Sequence, residues 1–413
     1  MSDIYRKAAL VILAILIVSC AAPAIDQPSQ SILPEVQIAR HPGPVDYSRL
    51  NTYVEIPVFD PNSQDPWQVD LRSSNLTTLD LSKSKNDLFY ADFDSKTQWP
   101  AADKMPVDFD WQKIMEIGKD PGLGMRAFHE QEINGQGVGL AIIDQTLLVD
   151  HIEYKDRIRV YEEAEDITGG WVEVQMHGPA VASIAVGKTV GVAPQADLYY
   201  IATGDCGGAT SIADLDFSCR ARAIQRLVEI NKSLPSDRKI RVISMSIGWG
   251  PQSKGYDEIT AAVNDAKKAG IFVISTSISQ TYGLNFHALG REPLADPNEF
   301  QSYEPGLWWQ NDFYQQGSLK STLLVPMDSR TTASPTGTED YVFYRAGGWS
   351  WSVPYLAGMY ALAVQVRPEI TPEEFWATAL QTGKTIQIQH NGKDYDFGVI
   401  LDPQKLIGAI KNK

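Results

Sequence analysis

Three side chains, far apart along the chain, have types and neighbours suited to taking a proton off an alcohol. Asp144 ends the apolar run Gly139-Leu140-Ala141-Ile142-Ile143, and a carboxylate at a buried strand's end can hold an imidazole in one tautomer. His177 opens His177-Gly178-Pro179-Ala180-Val181-Ala182-Ser183, a stretch of small residues whose proline suits a first helical turn. Ser350 stands in Gly347-Gly348-Trp349-Ser350-Trp351-Ser352-Val353-Pro354, just ahead of the apolar run Tyr355 to Val366. A helix starting there would stabilise negative charge forming beside the serine. Singly, each has an ordinary reading: Asp144 and Ser350 as helix caps, His177 as a structural residue. Jointly they supply a nucleophile, a base and an orienting anion. A serine hydroxyl is a weak nucleophile until a base removes its proton, and the imidazolium so formed needs a fixed anion beside it.

The elements that must position these groups alternate between strand and helix from about residue 107. Apolar strands are predicted at Gly139 to Asp144, Asp197 to Ala202, Ile240 to Ile247 and Ile271 to Ser275. An amphipathic helix is predicted over 211–232 and another over 257–268, starting near Asp257. Such alternation implies a parallel sheet wrapped by helices, with ligands at the strands' carboxyl ends.

The order and neighbours of the three residues resemble the subtilisin-like serine proteases, the subtilase family. That family carries a Gly-rich lead into a strand ending at aspartate, then His-Gly-Thr-x-Val-Ala-Gly, Gly-Val-Ala-Pro and Gly-Thr-Ser-Met-Ala-x-Pro. Here the corresponding runs are Gly135 to Asp144, His177 to Ser183, Gly191-Val192-Ala193-Pro194 and Gly348 to Pro354. Arg367-Pro368-Glu369-Ile370-Thr371-Pro372-Glu373-Glu374 also resembles the family's next helix start, so the likeness spans roughly 121–386. It implies an α/β, subtilisin-like three-layer fold, with Ser350 as nucleophile, His177 as base and later acid, and Asp144 as orienting carboxylate. By the same likeness, Ser246, Ile247 and Gly248 would hydrogen-bond the substrate backbone as an added strand. The implied function is a serine endopeptidase cleaving polypeptides through an acyl-enzyme.

Two departures bear on that expectation. Asp144-Gln145-Thr146 lacks the family's glycine after the aspartate. No asparagine follows the strand at Val273 to Gln280, where the family places its oxyanion donor; Ser279 or Gln280 could supply a donor instead, and Ser279 is the candidate taken. The alternative reading is therefore a catalytically impaired, subtilase-like lipoprotein that binds peptides or envelope components. A third is an esterase using the same triad. The tryptophans flanking Ser350 are expected to pack beneath the cleft, and the insert Leu307 to Tyr314 to be buried.

The first residues carry an address rather than chemistry. Arg6 and Lys7 precede the apolar run Ala8 to Val18, a pattern of secretory signals and too short to span a bilayer comfortably. The run ends Ser19-Cys20-Ala21, which resembles a bacterial lipobox with Cys20 as the lipidated residue. A lipid-anchored protein facing outside the cytoplasm is expected. Prolines crowd 20–66, suggesting an extended tether. In 67–106, Leu71, Leu76 and Leu81 recur every five residues, as in a short pentapeptide-like coil or a pro-segment, a polar loop with incidental leucines being the other reading, ahead of the catalytic domain at 107–413.

Composition bounds the rest. The 413 residues have a formal charge of −15, and removal of 1–19 would leave −16. So acidic a chain is not expected to bind nucleic acid or to lie flat on anionic lipid. After removal of the signal, only Cys206 and Cys219 remain as thiols, and an exported context makes a disulfide between them plausible. No metal site has recognisable spacing; family members often bind calcium, but no ligands are assignable here. No cofactor is expected, and the protein is taken as a monomer.

Overall fold

The computed structural model describes residues 35–46, 52–63, 65–164, 173–204, 206, 214–316, 319 and 321–412. Its centre is a six-stranded parallel sheet in the order Gln37–Ile38, Ile158–Glu163, Asp197–Ala202, Gly139–Asp144, Ile240–Met245, Phe272–Ser275. Alternation along the strands divides the core. Leu140 and Ile142 face a cluster shared with the helices His177–Val186 and Trp349–Val366. Ala141 and Ile143 face the opposite cluster, shared with the helices Ser218–Ser233 and Tyr256–Lys268. The result is the expected α/β three-layer fold. Burial on both faces explains why these strands are almost wholly apolar.

Register brings the chemistry to one edge. Asp144 pairs with Ala202, Ile142 with Ser244, and Met245 with Ser275. Asp144, Ser246 and Thr276 therefore emerge at the carboxyl ends of adjacent strands, where the connections diverge.

Several boundaries differ from the sequence reading. The first of the two amphipathic helices is Ser218–Ser233, because Leu215 and Phe217 lie buried ahead of it. The second opens at Tyr256, after Gly255 in the left-handed region at φ 75°. Within the proline-rich stretch, Gln37–Ile38 is an edge strand rather than tether, paired with Val160 and Tyr161. Proline density favours extended chain, and extended chain is also what a sheet edge accepts.

Two further sheets surround the central one. The larger has the order Tyr303–Pro305, Phe286–Arg291, Leu323–Pro326, Lys393–Ile400, Lys384–His390. The other runs Arg330–Ala333, Tyr341–Tyr344, Ala91–Asp94, Val69–Asp70, joining the N-terminal segment to the strand that leads into Ser350. Leu71, Leu76 and Leu81 are all buried there, in a cluster with Leu88, Phe93 and Phe343.

No helix among the described residues is long and apolar enough to cross a membrane. The signal-like run and Cys20 lie outside the described residues.

Candidate active site

Asp144 and His177 meet. The strand Gly139–Asp144 delivers the carboxylate, and the helix His177–Val186 starts with the imidazole. His177 Nδ1 lies 2.6 Å from Asp144 Oδ1, which also accepts the Gln145 N–H at 2.8 Å. Gly178 makes the approach feasible: a Cβ there would sit 2.7 Å from the Gln145 carbonyl oxygen and 2.7 Å from the Tyr200 hydroxyl. Burial disfavours the charged ring, but the Asp144 charge and hydrogen bond outweigh it, so the His177 pKa is raised. With Nδ1 engaged by the carboxylate, Nε2 is the nitrogen left to act as base.

Ser350 is the second residue of the helix Trp349–Val366, which follows Gly348 at φ 68°. That backbone region favours glycine and turns the chain sharply from strand into helix. The helix is apolar all round and buried, as its composition demands. Pro354 has no N–H, so the Ser350 carbonyl loses its helical partner. The Ser246 hydroxyl replaces it, donating to the Ser350 carbonyl at 2.9 Å. In return the Ser350 hydroxyl donates to the Ser246 carbonyl at 3.3 Å. This two-way clamp ties the helix that bears Ser350 to the end of Ile240–Met245. Among the described residues, Ser350 makes no hydrogen bond to His177. Trp351 links the two sides instead, its ring centroid 5.3 Å from that of His177. Trp351 is 3% exposed and packs beneath the site as expected, whereas Trp349 lies on a pocket wall. In the insert, Trp309 and Phe313 are buried and Trp308 is partly so.

The other sequence candidates fall around this centre. Ser246, Ile247 and Gly248 are half-buried; the Ile247 carbonyl accepts from Thr276, while Gly248 N–H and C=O have no partner among the described residues. Ser279 lies in the short helix Ile278–Tyr282 and lines a pocket of about 160 Å³ with Thr276, Asn285 and Trp349. Asn285 was not singled out from sequence. It stands beyond a glycine turn rather than at the strand's end, so only folding shows that it shares this pocket. Cys206 and Cys219 form a disulfide with a Cα separation of 5.7 Å. No group of three His, Cys, Asp or Glu side chains among the described residues could hold a metal ion.

Residues 135–303 match the family model described as the Subtilase family. That span includes Asp144, His177 and the Ser246 edge, and ends before Ser350. The extracellular serine proteinase of Thermus sp. (strain Rt41A) is 27% identical over 277 residues, covering 65% of this chain and 60% of that protein. Serine protease AprX of Bacillus subtilis (strain 168) is 24% identical over 277 residues, covering 59% of this chain and 60% of that protein. The chain thus spans about 60% of the length of these curated relatives. Among solved structures, the prenylagaramide maturation protease PagA aligns over 70% of this chain and 98% of its own, at 16% identity and a TM-score of 0.46. Over residues 135–303 the chain is thus similar to the Subtilase family, and the Asp144–His177 pair lies within that span.

Proposed function

We propose that this protein is an exported, lipid-anchored serine endopeptidase that hydrolyses peptide bonds through an acyl-enzyme. The observation that carries the reading is the 2.6 Å contact between His177 and Asp144 at the carboxyl edge of the sheet, beside the helix that bears Ser350.

In the reaction, the Ser350 hydroxyl leaves the Ser246 carbonyl and gives its proton to His177 Nε2 as Oγ attacks the scissile carbonyl. Catalytic hydrogen bonds of this kind often tighten only once substrate is bound. The oxyanion faces the Ser350 N–H, one of the orphan donors of a helix's first turn, and the Ser279 hydroxyl. His177 then returns the proton to the leaving amine, and water resolves the ester by the same route. The Gly248 N–H donates to a substrate carbonyl, and the Gly248 carbonyl accepts a substrate N–H.

Export and anchoring rest on Arg6, Lys7, the run Ala8 to Val18 and Cys20. Two or more acyl chains hold a protein far more firmly than one. The Thermus relative is described as extracellular, in keeping with such a location.

The competing reading is a peptide-binding protein on an inactive scaffold. Its supporting observation is that the Ser350 hydroxyl is turned to Ser246 rather than to His177. A fluorogenic peptide library distinguishes them. Turnover is expected, lost with Ser350→Ala and with His177→Ala, and lowered about 100-fold in kcat by Ser279→Ala. Peptide binding without turnover would establish the inactive scaffold.

A further inference from the structure

The strand Tyr341–Tyr344 runs straight into the turn that presents Ser350, and its outer partner comes from the N-terminal segment. Val342 and Phe343 pair with Asp94 and Phe93 in an antiparallel ladder. Past the strand's end the contacts continue residue by residue. The Arg345 N–H donates to the buried Asp92 carboxylate at 2.7 Å. The Trp67 indole N–H donates to the Ala346 carbonyl at 2.8 Å, two residues before Gly348. A Cβ on Gly348 would lie 3.9 Å from the Trp67 ring, which also packs edge-on against Trp308 with centroids 4.7 Å apart. The opposite side of the turn is held by Asp328, whose carboxylate accepts the Gly347 N–H at 3.0 Å.

From these contacts we infer that residues 67–106 are a resident support of the nucleophile turn, with Trp67 as a positioning residue, rather than a cover removed to release activity. A removable cover would contact the cleft and leave the catalytic core complete. This segment completes a sheet, contributes Leu71, Leu76, Leu81 and Phe93 to a core shared with Phe343, and satisfies backbone groups of the serine's own turn. Its removal would leave the Ala346 carbonyl and the Arg345 N–H without partners, and unmet polar groups of this kind loosen the backbone that carries them.

The inference rests on Ser350 being the nucleophile, so its test has one readout that depends on chemistry and one that does not. The first is the rate of fluorophosphonate labelling at saturating probe in the full chain and in Trp67→Phe, which keeps a ring and loses the donor. The expected result is labelling about tenfold slower in the variant. The second is amide hydrogen exchange, expected to quicken at 346–350 and stay unchanged in Gly139–Asp144 and Asp197–Ala202. A third arm places a specific protease site at the exposed Val107. After cleavage the segment is expected to co-elute with the remainder, and its displacement in mild denaturant to abolish labelling. Equal or faster labelling in Trp67→Phe, exchange that is unchanged at 346–350 or raised throughout, or a segment that departs and leaves Ser350 equally reactive would overturn the inference. Failure of the unmodified chain to label would instead count against the protease reading, and the exchange arm would still decide the role of Trp67.

Discussion

At the residue scale, the site turns on the protonation of one imidazole. Burial penalises the charged form of His177, and Asp144 more than offsets it, so the ring holds its proton to a higher pH than a free histidine. A base must be neutral to act. The acid limb of kcat/KM is therefore expected above the ordinary histidine value of about 6.5, with activity rising through it as pH increases. Asp144→Asn removes the anion, and burial is left to push the pKa down. That variant should lose about 10⁴-fold in kcat and show its acid limb at lower pH. A pH–rate profile of both proteins gives the comparison; an unmoved limb would mean that another group titrates. Asp144, His177 and Ser350 stood out in the sequence through their constrained neighbours: Gly178 admits a close backbone approach, and Gly348 takes a φ of 68°. Ser279 was named from its place after the strand, but its shared pocket with Asn285 was not visible there. Ser279 and Asn285 share a pocket wall only because a helix and a glycine turn fold the chain back after Phe272–Ser275. No period or spacing encodes that return.

At the scale of elements, the serine helix is anchored through its own irregularity. Pro354 removes a helical hydrogen bond, and Ser246 restores one from a neighbouring strand. Ser246→Ala should thus lower stability by about 1 kcal/mol, by orphaning the Ser350 carbonyl. In a Pro354→Ala background the helix recovers its own donor, so the same substitution should cost much less. Denaturant unfolding of the four proteins tests this coupling, and strictly additive effects would refute it. Strand positions were readable from their apolar runs, and the observed strands Gly139–Asp144 and Asp197–Ala202 coincide with the expectation. The start of Ser218–Ser233 was not, because Leu215 and Phe217 continue an apolar pattern that belongs to the turn packed ahead of the helix.

At the scale of the whole molecule, the chain assembles its site from distant parts. The carboxylate and imidazole come from the central sheet and its inner helix, while the serine's turn is braced by the N-terminal segment and Asp328. The five-residue leucine recurrence did not decide between a packed coil and a polar loop; in the fold Leu71, Leu76 and Leu81 form one buried face. What residues 67–106 bury against, the strand Tyr341–Tyr344, is a long-range pairing that carries no local signature. The anchor is tested separately. Intact mass of the membrane-extracted protein is expected to show residues 1–19 removed and a diacylglycerol with an added acyl chain on Cys20. An unmodified Cys20 would contradict the anchor.

The central claim is that Ser350 is activated by His177 held on Asp144. The most direct measurement is peptide mapping of the fluorophosphonate adduct by mass spectrometry, in the native chain and in His177→Ala. The account predicts a single adduct on Ser350 in the native chain and almost none in the variant. An adduct on another residue, or Ser350 labelled equally without its imidazole, would contradict it.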